Sequence, residues 1–451
     1  VAGIDYHKEG GIRWRCQPLI SSIRSWTPVL DSSLLSRAKR IIRAIGESLR
    51  DPSSQVDPAC QKFRDRVLDD SLAGGRAGIA MLFAYLDQCF PEESYGEEAR
   101  FFLEDVVDAL YEELPEPTFL GGSVGMAWVL QHLERYHGAE DVLVKVDEAL
   151  LELLEGGSER LNFDLAFGLA GMGIYALERM PHPNAVEIVE HVLCRLEDSA
   201  LHTSQGFAWR TDPELLDPGK RMLYPDGYFN LGVAHGVPGV IAFLGLACHS
   251  AIADERVDRL LDGATNWMLA QRLDQDQATC FSYFSSSSRV PEPTRSAWCY
   301  GDPGVAAAFM CAARGADQDR WAEQALDVAC RAARRRFADS GVVDAGLCHG
   351  ASGLGHIFNR LYQATGEESL QTAARKWFEQ TLDMRRSAEG VAGYLSWMKL
   401  TAQQREDWTV DRGLLTGAAG IALSLAAAVS PVEPEWDRCL LLSIPSTRPT
   451  G

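Results

Sequence analysis

Apolar residues recur along this chain in two alternating patterns. In Glu97–Leu114 the set Phe102, Leu103, Val106, Val107, Leu110 and Leu114 follows i, i+3, i+4 spacing, which predicts an amphipathic helix. Val142, Leu143, Val146, Ala149, Leu150, Leu153 and Leu154 repeat the pattern, as do Val257–Leu273, Trp321–Phe337 and Leu370–Leu382. The second pattern is rich in Ala, Gly, Leu, Ile and Val and poor in charge, so its helices should be buried nearly all round. Strand-like alternation is weak throughout, and sheet content should be low.

Each apolar stretch opens on G-x-x-G. The segments are LAGGRAGIAML (72–82), LGGSVGMAWVL (120–130), FGLAGMGIYAL (167–177), AHGVPGVIAFL (234–244), CYGDPGVAAAF (299–309), CHGASGLGHIF (348–358) and LTGAAGIALSL (415–425). Their first glycines, Gly75, Gly122, Gly168, Gly236, Gly301, Gly350 and Gly417, are spaced by 47, 46, 68, 65, 49 and 67 residues. Seven such openings at quasi-regular spacing describe a repeat protein rather than the three or so domains that length alone suggests. The expected fold is all-α, an α/α toroid of seven helical hairpins with its G-x-x-G loops at one end. Apolar helices line the inside and amphipathic ones the outside; closure leaves no end repeats needing polar caps. The toroid should span 34–430, between an N-terminal extension (1–33) and a C-terminal tail (431–451). Long loops are expected near 202–230, 274–298 and 385–413.

Charge and composition narrow the partners. The net charge of −20 argues against sequence-independent nucleic-acid binding and against an anionic membrane surface. The most apolar runs, Val240–Cys248 and Ile421–Val429, are about half the length of a membrane span. VAGIDYHKEGG has no signal-peptide core, and the absence of an initiator Met excludes these first residues from the fold prediction. The 11 cysteines follow no small-domain disulfide spacing, which suits a reducing cytoplasm and free thiols.

Chemistry should gather at the mouth where the glycine loops meet. Helix N-termini there favour anions or developing negative charge. Cys299 and Cys348 each lie two residues before a first glycine; His235, Tyr300 and His349 each lie one before. Equivalent offsets on units four to six point to one place. Cys299, Cys348 and His349 form a favoured zinc set of three protein ligands with a fourth position open, as in catalytic sites. Cys248, Cys311, Cys330 and His356 lack this register and are expected in the core; His249 ends an inner helix, far from the mouth.

W-C-Y-G at Trp298–Gly301, C-H-G at Cys348–Gly350 and A-H-G-x-x-G at Ala234–Gly239 resemble the lanthipeptide (lantibiotic) cyclases, the LanC family. The repeat that carries the resemblance runs from about Leu34 to Val429. It implies one zinc ion per chain on Cys299, Cys348 and His349. It also implies thioether ring formation, the addition of a precursor-peptide Cys thiol to a dehydroalanine or dehydrobutyrine. By the same resemblance His235 acts as general acid/base and Asp164 orients it or binds water. Arg295 stabilises an enolate or anchors Asp164, and Tyr300 polarises or positions. Expected partners are a dehydrated precursor peptide with its leader, a dehydratase and a transporter. The setting is cytoplasmic, with attachment beside a membrane-associated complex left open. His202–Asn230 is the candidate leader contact. The eukaryotic LanC-like branch, which resembles glutathione-binding proteins, has W-C-H-G where this chain has W-C-Y-G, so Tyr300 favours a biosynthetic cyclase. With its length spent on the toroid, a stand-alone cyclase is expected over a fused synthetase, the alternative being an excised C-terminal domain of a larger synthetase. The alternatives are a thiol-binding protein, a scaffold of a biosynthetic complex, or a zinc-dependent thiol alkylation like that of protein prenyltransferases.

Overall fold

The computed structural model describes residues 26–50, 64–65, 69–156, 161–216, 218–250, 252, 254–387, 389–400 and 405–445. Amphipathic and apolar helices alternate. α1 (Ser32–Arg50) is amphipathic and α2 (Arg76–Cys89) mostly buried; α3 (Gly96–Glu112) and α4 (Ser123–His132), then α5 (Glu140–Glu155) and α6 (Leu169–Arg179), continue the alternation. α7 (Pro183–Ser199) is a further outer helix, followed by the short α8 (Pro218–Leu223) and the apolar α9 (Val237–His249). After α10 (Glu255–Ala270) come α11 (Asp302–Ala316), α12 (Asp319–Ala333) and the single turn α13 (Phe337–Ser340). α14 (Ala351–Thr365), α15 (Glu368–Asp383) and the wholly buried α16 (Ala418–Val429) complete the set.

The inner helices α2, α4, α6, α9, α11, α14 and α16 touch in that order, and α16 returns to α2. This is the expected α/α toroid. Small residues permit the crowding. A Cβ at Gly245 of α9 would press on the backbone of Ala312, and one at Gly315 on the backbone of Gly245. The second glycine of the repeat has a local reason. A Cβ at Gly353 would strike the Leu347 carbonyl six residues back, and one at Gly420 the Leu414 carbonyl. Gly353→Ala is therefore expected to cost about 1–3 kcal/mol, as overpacking against backbone does. Urea unfolding at unchanged m-value checks this.

Closure uses both chain ends. α1 packs on α16, so the first outer helix completes the last hairpin. Trp26 Nε1 donates to the Ala427 carbonyl at 2.7 Å and Val29 N to that of Ala428 at 3.0 Å. After α16 the chain, expected as a tail, turns at Glu435–Leu440 and buries Trp436, Asp437, Cys439 and Leu440 in the core. Asp437 accepts from Arg360 Nε at 2.6 Å and lies 2.7 Å from His356 Nε2. His356, placed in the core by sequence, is a buried partner of this turn.

Among the described residues the sheet is limited to short strands outside the helical hairpins. β1 (Arg64–Asp65) pairs parallel with β7 (Arg405–Val410), which pairs antiparallel with β6 (Ser396–Leu400). β2 (Leu201–Thr203) and β3 (Gly206–Ala208) form a hairpin, and β4 (Phe229–Asn230) pairs with β5 (Phe284–Ser285). The stretch between α6 and the long loop expected near 202–230 is filled by α7. Its apolar set Ala185, Ile188, Val189, Val192, Leu193 and Leu196 has the outer-helix spacing.

Candidate metal centre

A closed circle of backbone hydrogen bonds defines the mouth. The residue two before each first glycine gives its N–H to the carbonyl of the equivalent residue in the next unit. Ala73 donates to Leu120, Leu120 to Ala166, Ala166 to Ala234, Ala234 to Cys299, Cys299 to Cys348, Cys348 to Leu415, and Leu415 back to Ala73, over 2.7–3.5 Å. Cys299 and Cys348 are consecutive members of this circle. Backbone pairing alone therefore sets their side chains beside each other.

Cys299 Sγ, Cys348 Sγ and one ring nitrogen of His349 lie within 4.8 Å of one another. Cys299 is buried; Cys348 and His349 are half-buried. Hydrogen bonding with Cys348 holds the Cys299 thiol well below its usual range against the opposing effect of burial, with His349 and Arg295 assisting. Cys348 is pushed up correspondingly by Cys299 and by burial. His349 Nδ1 is buried without a hydrogen-bond partner in the structure. Two soft sulfurs, one thiolate already favoured and an unpartnered imidazole nitrogen suit zinc. A second cluster, Glu155, Glu187 and His191, is largely exposed on the outer helices α5 and α7.

His235 stands one unit away. Its Nδ1 lies 2.9 Å from Asp164 Oδ2, and Asp164 is buried. Asp164 also accepts the Phe167 N–H at 2.7 Å and lies 3.2 Å from Asn162 Nδ2. The Phe167 ring stacks on His235 at 5.3 Å and 22°. Tyr300 lies 6.4 Å from the His235 ring; its hydroxyl accepts from Asn230 Nδ2 at 3.0 Å, and burial pushes its phenol up. Arg295 Nη2 reaches Cys299 Sγ at 3.8 Å. Burial works against the guanidinium charge, but Cys299 and Cys348 raise its pKa overall. The structure thus brings together all seven residues singled out from sequence. Arg295 contacts the Cys299 thiol, whereas Asp164 has His235, Phe167 and Asn162.

A further register position escaped the sequence analysis. The residue six before the first glycine is Asp69, Asn162, Asn230, Asp344 or Asp411 in five units. In each case its side chain accepts the N–H two residues on, an Asx turn that shapes the loop. In unit five the same position is Arg295, which frees that side chain to reach Cys299. The recurrence of Asp or Asn at this offset was the available signal. Asn230 also holds Tyr300. Trp298 Nε1 donates to the Leu440 carbonyl at 2.8 Å, so the C-terminal turn braces the residue before Cys299. A cleft lies at the other end of the toroid, against His132, Glu178, Arg179 and Arg438. Glu178 pairs there with Arg438 and His132, and Arg179 with Glu140 and Asp147, and these groups carry none of the mouth chemistry.

Fold and site define an α/α toroid with a Cys₂His cluster and a His–Asp pair at one mouth. Residues 66–441 match the lanthionine synthetase C-like protein family, and the chain belongs to that family. It is 23% identical over 340 residues to the nisin biosynthesis protein NisC of Lactococcus lactis subsp. lactis, covering 69% of this chain and 79% of that protein. The solved structure of nisin cyclase superposes with a TM-score of 0.71 at 18% identity, over 91% of this chain and 98% of that one. A cellobiose 2-epimerase from Bacillus thermoamylovorans gives a TM-score of 0.47 at 10% identity, over 88% and 99%.

Proposed function

We propose that this chain is a zinc-dependent lanthipeptide cyclase. The carrying observation is the placing of Cys299, Cys348 and His349 on the same mouth as the His235–Asp164 pair. Its family and its similarity to proteins named for nisin biosynthesis and nisin cyclisation support this. Cys299, Cys348 and His349 would hold the ion, which when bound lowers the pKa of a thiol ligand and supplies a nucleophile near neutral pH.

The chain's own groups serve the rest of the reaction. A peptide Cys sulfur forms a bond to the β-carbon of a dehydroalanine or dehydrobutyrine, and the C=C π pair moves onto Cα and the adjoining carbonyl. Inner-helix N-termini at the mouth favour the charge developing on that oxygen. His235, oriented by Asp164, exchanges the proton that leaves the thiol and the one that arrives at Cα. Tyr300, held by Asn230, bounds the space beside His235. Arg295 keeps a positive charge against the ligand thiols. Atoms balance with no oxidant or reductant: S–H adds across C=C.

The substrate is a dehydrated precursor peptide. Its leader lies along the 202–230 excursion, where Leu215, Met222 and Leu223 are exposed, as is Val290 of the loop whose Ser288 hydroxyl lies 3.5 Å from the Leu223 carbonyl. The dehydratase and transporter of the same pathway are the expected associates, in the cytoplasm. Among the described residues no helix is long and apolar enough to cross a membrane.

Because addition leaves peptide mass unchanged, the test counts thiols. A dehydrated peptide bearing one Cys is incubated with the zinc-loaded chain and then treated with iodoacetamide. Loss of alkylation together with a thioether fragment pattern supports a cyclase. Bound peptide that remains fully alkylated would identify a thiol-binding or scaffold protein instead.

A further inference from the structure

The residues one before each first glycine differ around the circle. Units three to six carry Phe167, His235, Tyr300 and His349, unit seven carries Thr416, whose hydroxyl donates to Asp411 Oδ2 at 2.6 Å, and units one and two carry Gly74 and Gly121. In a seven-membered circle, unit two lies across the axis from the boundary of units five and six, where the metal ligands sit. The ringed arc and the bare arc therefore face each other, and Phe167 stands where they meet.

Phe167 is unusual for a large apolar side chain, with 54% of it exposed. Its place is tightly set. Its N–H is held by Asp164 Oδ1 at 2.7 Å, and one ring face is stacked on His235. Its neighbour on the other side, Gly121, presents no side chain. Packing does not demand glycine at 121. A Cβ there would meet only Thr118 Oγ1, at an ordinary 3.5 Å, and its backbone is outside the left-handed region. The mouth thus has an apolar ring beside the candidate proton donor and, next to it, an arc without side chains at this register, opposite the proposed metal ligands.

We infer that Phe167 is the apolar wall of the acceptor subsite, holding the dehydroamino-acid side chain against His235, and that the Gly74–Gly121 arc is the track for the peptide backbone. This rests on the proposed cyclase activity and names the half of the site that receives the alkene. The alkene carbons of a dehydroalanine or dehydrobutyrine are apolar and planar, suited to contact with an aromatic ring. The alkene must reach both the nucleophilic sulfur and His235. A wall one residue position from His235 and across the mouth from a bare arc satisfies both requirements.

The test uses Phe167→Ala, Phe167→Leu and Gly121→Leu in the full chain. The probe is a peptide with one Cys and one dehydrobutyrine, alongside its saturated 2-aminobutyrate counterpart. Phe167→Ala is expected to raise KM for the dehydrated peptide about tenfold or more. Zinc content, Tm and the pH profile of kcat should stay at wild-type values, and Phe167→Leu should recover most of the affinity. Gly121→Leu should fold normally and raise KM by obstructing the track. Binding is also measured directly by fluorescence anisotropy. Wild type should prefer the dehydrated over the saturated peptide, and Phe167→Ala should erase that preference. Unchanged KM and unchanged preference in Phe167→Ala would overturn the inference. So would a fall in kcat with a shifted pH profile at unchanged KM, since Phe167 would then act only on His235. If wild type forms no thioether, the cyclase activity itself fails. The anisotropy comparison then decides the subsite alone: a preference lost in Phe167→Ala supports it, and one retained or never present rejects it.

Discussion

Cys348→Ala is expected to purify with no bound zinc and to form no thioether, while keeping its helical fold. The two effects separate because Cys348 does two jobs with different atoms. Its backbone N–H and carbonyl belong to the closing circle, bonding to Leu415 at 2.7 Å and receiving Cys299 at 3.4 Å, and Ala makes the same bonds. Its Sγ belongs to the metal cluster. Removing one of three protein ligands should weaken zinc by more than the 10–100-fold typical of a lost supporting partner. Elemental analysis, circular dichroism and the alkylation assay on one preparation check this. Full zinc in Cys348→Ala would remove Cys348 as a ligand. Loss of zinc with cyclisation retained would sink the thiolate mechanism.

Asp164→Asn is expected to keep its zinc and lose cyclisation. Asp164 is buried, yet His235, 2.9 Å away, is reachable from the mouth. With a carboxylate as its partner, Nδ1 carries the hydrogen of that bond, which in the proposed reaction leaves Nε2 for the substrate. An amide in its place can present a donor to Nδ1 and reverse that arrangement. A general acid/base is worth about 10²–10⁴ in rate, so kcat should fall by at least about a hundredfold. His235→Gln should fall comparably, and the double variant little further, because the pair acts as a unit. Zinc content is the control. A variant that lost both metal and activity would mean that Asp164 supports the cluster rather than His235. A variant with normal kcat would exclude the pair from the proton steps.

The arrangement explains which parts of the site could be read early. Both glycines of the repeat, and the Asx turn before it, are local devices. The chain packs on itself within about seven residues, as Gly353 does against Leu347, so each unit writes the same letters at the same offsets. Cys299, Cys348 and His349 stand at such offsets and were legible for that reason. Asp164 and His235 are 71 residues apart, and neither carries a signal for the other. Their pairing entered only through family resemblance. Phe167 occupies the same register as His235 and His349, but a lone apolar residue at a loop reads as packing until its exposure is known.

Other features had no local signature at all. α1 gives no sign that its partner is α16, because the bond between the first and last helices is made only when the circle closes. Nor does Trp436 in a short C-terminal segment announce that it stacks on His356 at 4.7 Å. Repeat number, helix type and the register that sets Cys299, Cys348 and His349 together were determined by the sequence alone, since they rest on interactions a few residues long. The order of units around the mouth, the facing of Gly121 and the Cys299–Cys348–His349 cluster, and the burial of the Glu435–Leu440 turn were decided by tertiary structure. The physical reason is the closed circle of seven backbone hydrogen bonds. Its donors and acceptors are the same in every residue, so sequence cannot mark them, yet they set which side chains meet.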